Sequence, residues 1–254
     1  MRSSEDWKLA VKAKIDEVLA NTNSAEYPPP ASLPVTIDHT LLKPDATPAQ
    51  INTLCDEAIK YGFKSCCVNG SYIPQVAERL QGTGTIPCVV VGFPLGAMKP
   101  SAKAFEAQEA VKDGAKEVDM VLHIGHLKSQ DYLCLHADIE AVVRACSPIP
   151  VKVILETVFL TDEEKIAASF VAAEAGAAFV KTCTGFAGGA ASSGDVALMK
   201  KTVAYKDGAV QVKASAGVRT YEKCLEVIKA GADRIGTSSG VAIMEKSDLV
   251  PGSY

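Results

Sequence analysis

A single eight-stranded parallel β/α barrel (a TIM barrel, α/β class), preceded by one extra N-terminal helix, is the fold this sequence predicts. Three observations predict it. A recurring unit ends a helical pattern on glycine and then opens a short apolar strand. Capping-box signatures mark helix starts between strands. The length, 254 residues, is close to the ~250 that such a barrel needs as one unit.

The first element is a helix over residues 4–19, where Trp7, Val11, Ile15, Val18 and Leu19 recur at helical spacing with charges between them. Residues 1–20 are assigned to it, and its apolar face is expected to pack on the barrel or on a partner subunit. Residues 21–34, NTNSAEYPPPASLP, are polar and proline-rich and read as a linker. The barrel is assigned to residues 35–247. Residues 248–254 are assigned to a tail, which a proline and a glycine near its end should leave mobile.

Within the barrel the repeating unit appears at Gly62, Gly114, Gly176, Gly208 and Gly231, each followed by a short strand pattern. Glycine after a helix takes the left-handed C-cap at little steric cost. Thr47-Pro48-Ala49-Gln50 and Thr161-Asp162-Glu163-Glu164 have the capping-box form. Strands are expected at 35–38, 64–68, 87–92, 117–122, 151–156, 178–181, 210–214 and 233–237. Strict alternation with helices implies parallel βαβ units and favours closure over an open doubly wound sheet. No Gly-x-Gly-x-x-Gly opens the first βα turn, which counts against a dinucleotide fold.

The composition, 48% hydrophobic and 22% charged, is that of an ordinary globular chain. With a net charge of −4 and no basic stripe, no nucleic-acid partner is expected. An anionic substrate must then be held by local groups. The start MRSSEDWKLA is too charged for a secretory signal, and no apolar run approaches ~20 residues, so a cytoplasmic location without membrane contact is expected. The eight cysteines form no CxxC pair, and the four histidines complete no zinc spacing, so buried reduced thiols and no metal are expected.

Strand side chains alternate between faces. In VQVKA (210–214) the apolar parity suits the layer under the helices, which turns Lys213 into the barrel. The same test turns Glu117 and Asp119 inward on EVDMVL, Lys152 and Glu156 on VKVILE, and Lys181 on AFVK. Asp38 and Arg234 follow if Ile37 and Ile235 face the helices. Four acids would then meet four bases where a barrel normally holds branched apolar residues. Lys152 and Glu117, near strand starts, read as structural ion pairs. Asp119, Lys181 and Lys213 sit late in their strands, where barrel active sites form.

Lys181 and Lys213 lie on consecutive strands, about 4.8 Å apart if adjacent. A free lysine amine, with a pKa near 10.4, is protonated and non-nucleophilic at neutral pH, and a second ammonium beside it disfavours that charge. The chemistry that wants a neutral lysine is Schiff-base formation with a carbonyl. Asp119 is placed to move protons, directly or through a water. Barrels often bind phosphate on the loops after strands seven and eight. Here these read Ser215-Ala216-Gly217 and Gly236-Thr237-Ser238-Ser239-Gly240, the second leading into a short helix, with Thr184-Gly185 as a third wall.

Beyond this reading, the sequence resembles the deoxyribose-phosphate aldolase family. The stretches that carry the resemblance are IDHTLLKPDAT (37–47), VVVGFPLG (89–96), EVDMV (117–121), KVILET (152–157), FVKTCTGF (179–186), VKASAGVRT (212–220) and IGTSSG (235–240), in the family's order. The resemblance implies Lys181 as the Schiff-base lysine and Asp119 with Lys213 as a proton-relay pair. It implies a substrate site that includes a phosphate site on the Gly185, Ala216–Gly217 and Ser238–Ser239 loops, with Asp38, Thr184 and Gly236 nearby. Some members end in a mobile tail whose terminal tyrosine reaches the site, and this chain ends on Tyr254. Three positions depart from the common pattern: Ala216 where glycine is frequent, Cys183 where serine is frequent, and His123 where asparagine is frequent.

The implied reaction is reversible cleavage of 2-deoxy-D-ribose 5-phosphate to D-glyceraldehyde 3-phosphate and acetaldehyde, a carbon–carbon lyase reaction without cofactor or metal. A phosphorylated sugar and a small aldehyde are the expected partners, with a homo-oligomer, dimer or tetramer, as the expected assembly. Three other readings compete. One is a lysine-dependent barrel aldolase for another sugar phosphate. Another is a catalytically silent sugar-phosphate sensor, which the intact Lys181, Lys213 and Asp119 set opposes. The third is a metal-dependent aldolase, which lacks a ligand cluster in the sequence.

Overall fold

A computed structural model describes residues 2–23 and 25–247 of the chain. Tyr254 and the expected tail at 248–254 lie outside these residues. In chain order the elements are α1 (Ser4–Ala20), β1 (Ile37–Leu41), α2 (Pro48–Tyr61), β2 (Ser65–Val68), α3 (Ile73–Arg79), β3 (Ile86–Val91), α4 (Pro100–Lys112) and β4 (Glu117–Val121). There follow α5 (Ile124–Lys128), α6 (Tyr132–Cys146), β5 (Val151–Ile154), α7 (Asp162–Glu174), β6 (Phe179–Lys181), α8 (Ser193–Val203), β7 (Gln211–Ser215), α9 (Tyr221–Lys229), β8 (Arg234–Thr237) and α10 (Gly240–Glu245). The eight strands close into one parallel barrel in sequence order, β8 pairing back onto β1.

Local signals in the chain account for the element ends. Thr47 and Thr161 both complete reciprocal capping boxes, with Gln50 and Glu164. Gly62 closes α2 in the left-handed conformation at φ 72°, its N–H reaching the carbonyls of Ala58 and Ile59. The first strand departs most from expectation. Pro34–Thr36 form a 3-10 turn, and the strand runs on to Leu41. Its polar residues are accommodated: outward-facing His39 pairs with Glu57 of α2 at 2.7 Å, and Asp38 faces inward.

Apolar residues of the outward parity line every strand. Ile37, Val89, Val118, Met120, Val153, Val180, Val212, Ala214 and Ile235 all join the apolar layer between strands and helices. A smaller apolar cluster, Leu42, Cys67, Cys88 and Val90 with Phe93 against it, lies separate from that layer. All eight cysteines are free thiols; seven are buried, but Cys134 is exposed, contrary to the expectation for that one. Among the described residues no helix is long and apolar enough to cross a membrane.

The N-terminal helix docks on the barrel of its own chain, against α6 and α7. Trp7 is its anchor, 3% exposed, with its ring 5.0 Å from His136 and edge-on to Phe170 at 6.2 Å. Truncating a buried aromatic of this size costs about 3–5 kcal/mol. Trp7→Ala should therefore lower unfolding free energy in urea by about that amount. Leu9→Ala, at a site 63% exposed on the same helix, should change it by less than about 0.5 kcal/mol.

Candidate active site

Strand register brings the charged residues together. Asp119 is level with Lys152, Lys181 with Lys213, and Lys213 with Arg234. The Asp119 carboxylate accepts from Lys152 Nζ at Oδ1 (2.8 Å) and from both Lys181 and Lys213 Nζ at Oδ2 (2.9 and 2.8 Å). Asp38 pairs with Lys213 (2.5 Å) and Arg234 (2.7 Å) and accepts from Ser65. Glu117 pairs with Lys152 (2.6 Å) and Arg234 (2.8 Å). All seven charged side chains are buried.

At Asp38, Asp119, Lys152 and Lys213 burial opposes the charge, and the ion pairs outweigh it. Asp119 is desolvated, yet the ammoniums of Lys152, Lys181 and Lys213 hold its carboxyl well below the usual carboxylate range. Asp38 is likewise depressed, against its burial, by Lys213, Lys152 and Arg234. Burial pushes the Lys213 pKa down, but Asp119 and Asp38 raise it above the ordinary lysine range. Lys152 is raised in the same way, chiefly by Asp119. Both lysines are thus fixed cations at neutral pH.

One expectation is extended and one needs correction. Lys152 and Glu117 do form an ion pair, but it lies inside the cluster: Lys152 also bonds directly to Asp119, and Glu117 braces both Lys152 and Arg234. Glu156 does not join the ion cluster. The fifth strand ends at Ile154, and Glu156 adopts a left-handed conformation at φ 57°. Its carboxylate accepts from the backbone N–H (3.1 Å) and the hydroxyl of Thr184. Three carboxylates, Asp38, Glu117 and Asp119, therefore face four cations, Lys152, Lys181, Lys213 and Arg234. Among the described residues Lys181 has one ion-pair partner, Asp119, and shares it with two other lysines.

The three expected phosphate loops are neighbours through the pairing of β6, β7 and β8. Thr182 donates to the Ser215 carbonyl at 2.8 Å, and Ser215 is level with Gly236. Ala216 and Gly217 both take left-handed backbone, at φ 76° and 73°. In the β8 loop the Ser239 N–H donates to Thr237 Oγ1, and the buried Ser239 hydroxyl has no hydrogen-bond partner among the described residues. Ser238 is half-buried and Gly185 takes left-handed backbone. Thr184, by contrast, spends its donors on Glu156, and Asp38 is engaged by Lys213 and Arg234.

A cavity of about 250 Å³ opens beside the loop after β6, lined by Pro94, Leu95, Glu156, Phe159, Thr184 and Phe186. Cys183 is buried, with its pKa pushed up by desolvation, and its sulfur meets the Thr157 hydroxyl at 3.3 Å. Sequence reasoning missed Cys88, whose thiol donates to Asp119 Oδ1 at 3.3 Å. The parity of CVV on the third strand was the signal for it.

Comparison with known proteins adds to this geometry. Residues 33–246 match the DeoC/LacD aldolase family. Deoxyribose-phosphate aldolase of Finegoldia magna is 54% identical over 209 residues, covering 82% of this chain and 97% of the relative. That of Streptococcus sanguinis is 54% identical over 218 residues, covering 86% and 97%. A crystal structure of a candidate deoxyribose-phosphate aldolase from Coccidioides immitis superposes with a TM-score of 0.93 at 39% identity, over 98% of this chain and 99% of that one. The tetrameric enzyme from Aeropyrum pernix superposes with a TM-score of 0.79 at 30% identity, over 92% and 96%.

The buried charges set the pH range of stability. Asp38 and Asp119 have folded pKa values below their unfolded value of about 3.9, so their contribution is complete above that pH and is lost as pH falls toward the folded values. Lys152 and Lys213 are raised, so theirs is complete below about pH 10.4 and is lost as pH climbs through the folded values. Arg234→Met leaves Asp38 and Glu117 short of a partner and should cost about 3–5 kcal/mol at pH 7. The cost should be smaller at pH 3, where the wild type has already lost part of this contribution. Urea unfolding at both pH values measures it, and an equal cost would mean that ion pairing is not the origin.

Proposed function

The chain belongs to the DeoC/LacD aldolase family, and on that premise we propose that it reversibly cleaves 2-deoxy-D-ribose 5-phosphate to D-glyceraldehyde 3-phosphate and acetaldehyde through an imine on Lys181. Carbon–carbon lyase chemistry follows from the family; the substrate and the covalent route are our reading. The observation that carries it is the sharing of Asp119 Oδ2 by Lys181 and Lys213. Two like charges on one oxygen repel, and the surrounding ions leave Lys181 the least compensated of the four cations.

In this reading the Lys181 amine attacks the open-chain aldehyde and expels water to give the imine. Asp119 and Lys213 serve the base that removes the C3 hydroxyl proton. The C2–C3 bond breaks, its electron pair passes to the iminium, and glyceraldehyde 3-phosphate leaves. The enamine is protonated at carbon, and water returns Lys181 and acetaldehyde. Lys213, raised by Asp119 and Asp38 against its burial, stays cationic and holds the relay at a fixed charge. Tyr254 is proposed as the carrier of the enamine proton. A homo-oligomer is proposed by analogy with the tetrameric Aeropyrum pernix relative.

The phosphate is assigned to the Gly185, Ala216–Gly217 and Ser238–Ser239 loops, supported by the buried Ser239 hydroxyl that no protein group engages among the described residues. An aldolase for a different phosphorylated sugar would use the same loops. The names of the relatives favour the deoxyribose substrate.

Borohydride reduction in the presence of acetaldehyde should add one ethyl group to Lys181, located by peptide mass spectrometry. Modification mainly at Lys213 or Lys152 would overturn the assignment. For the phosphate loops, unphosphorylated 2-deoxyribose should show kcat/KM reduced by more than about tenfold, since about 1.4 kcal/mol of lost transition-state binding already gives that ratio. Equal kcat/KM for the two sugars would remove the phosphate site.

A further inference from the structure

Away from the lysine cluster, three chemically different ligand atoms converge where α5 meets α6. They belong to His126, Asp131 and Cys134, and all lie within 4.8 Å of one another. The closest approach between His126 and Asp131 is Nδ1 to Oδ2 at 3.8 Å. All three are open to solvent: the His126 and Asp131 side chains are 31% and 38% exposed, and Cys134 is the exposed cysteine.

Neither element alone would bring them together; the turn between them does. The Asp131 N–H bonds back to the His126 carbonyl at 2.9 Å, and the Gln130 N–H to that of Leu127 at 2.9 Å, with Gln130 in left-handed backbone at φ 56°. Asp131 Oδ1 accepts from the Cys134 N–H at 3.1 Å, which leaves Oδ2 as the oxygen nearest His126. On the other side, the His123 ring lies 4.0 Å from that of His126, and its Nδ1 accepts the His126 backbone N–H at 3.3 Å. The ring of His126 is thereby backed from within the chain and faces the carboxylate.

We propose that His126, Asp131 and Cys134 bind a divalent transition-metal ion, zinc in the first instance, as a site separate from the aldolase centre. An imidazole nitrogen, a carboxylate oxygen and a thiolate sulfur are the three donor types zinc takes, at about 2.0–2.3 Å. Tetrahedral placement at those lengths sets ligand atoms about 3.3–3.8 Å apart. The His126–Asp131 separation already falls at that limit, and exposed side chains close the rest by torsion. The thiol proton leaves to solvent as the sulfur–metal bond forms, and the fourth position takes water. The sulfur and nitrogen donors select against magnesium and calcium, which take oxygen. An ion here ties α5 to α6, directly after the strand that carries Asp119.

The full-length protein, reduced and stripped with chelator, is titrated with Co²⁺ as a spectroscopic stand-in for zinc. A thiolate-to-cobalt charge-transfer band in the near ultraviolet should grow to one ion per chain. It should vanish in Cys134→Ser. Zn²⁺, competing against Co²⁺, should bind His126→Ala and Asp131→Asn about tenfold or more weakly. Asn at 131 keeps an oxygen for the helix cap, so its loss of affinity reports the ligand rather than the fold. Zn²⁺ should raise the thermal midpoint of the wild type and not of Cys134→Ser, while turnover without added metal stays unchanged in all three variants. No band in the wild type, a band that persists in Cys134→Ser, or Zn²⁺ affinity unmoved by the substitutions would each overturn the site and leave a simple His126–Asp131 ion pair.

Discussion

Asp119 offers one carboxylate to three ammonium groups, and the interior of the barrel is arranged around that shortage. Oδ1 is taken by Lys152 and the Cys88 thiol, and Oδ2 by Lys181 and Lys213. Every acceptor position on the carboxylate is therefore in use. A buried ion pair is stable only when the remaining hydrogen-bonding capacity is also filled. Here two further carboxylates supply it, Asp38 for Lys213 and Glu117 for Lys152. Among the described residues Lys181 receives no such second partner. It is the member of the cluster whose amine can turn to other chemistry without breaking the rest.

The same ions act as ties between strands. Arg234 on β8 grips Asp38 on β1 and Glu117 on β4, crossing the barrel interior, and Asp38 continues to Ser65 on β2. Phe179 lies against Lys152 and Arg234, with its ring centroid 5.7 and 5.1 Å from their charged groups, so an aromatic face covers what the carboxylates do not. Gly236 follows from this arrangement. A Cβ there would stand 2.8 Å from Lys213 Cε and 2.7 Å from the Ser215 hydroxyl. The path of Lys213 to Asp119 dictates the absence of a side chain on the neighbouring strand.

Alternation along short strands made much of this legible in advance. In VQVKA and EVDMV only one parity could meet the helices, so Lys213 and Asp119 had to face inward, and the apolar layer contains the residues that this argument assigned to it. Position along a strand was a poorer guide. Barrel strands tilt, so a residue early on one strand is level with a later residue on the next. Lys152, second in β5, sits beside Asp119, third in β4, and this stagger is what brought a lysine from a strand start into the centre. Glu156 was misplaced for a different reason. Parity extends only as far as the strand, and the strand stops two residues before it. The His126–Asp131–Cys134 grouping depends on a turn whose closure no periodicity encodes.

The backbone at the mouth of the barrel divides its work differently. Glu156 and Ala216, in the loops after β5 and β7, both hold left-handed conformations that cost a non-glycine residue of order 1–3 kcal/mol. Such geometry persists only where neighbours over-determine it. Glu156 is fixed by the N–H and hydroxyl of Thr184, which ties the β5 loop to the β6 loop immediately after Lys181. Ala216 is fixed by the Ala191 N–H on its carbonyl at 2.9 Å, and at the adjacent Gly217 a Cβ would meet that of Ala190 at 2.3 Å. Both strained residues thus anchor the loops on either side of β6. The ions position the lysine from below, within the strands, while strain and its compensating bonds position the loops from above. A change at Ala216 or Glu156 therefore acts on the shape of the mouth and leaves the ion pairs of the lysine cluster in place.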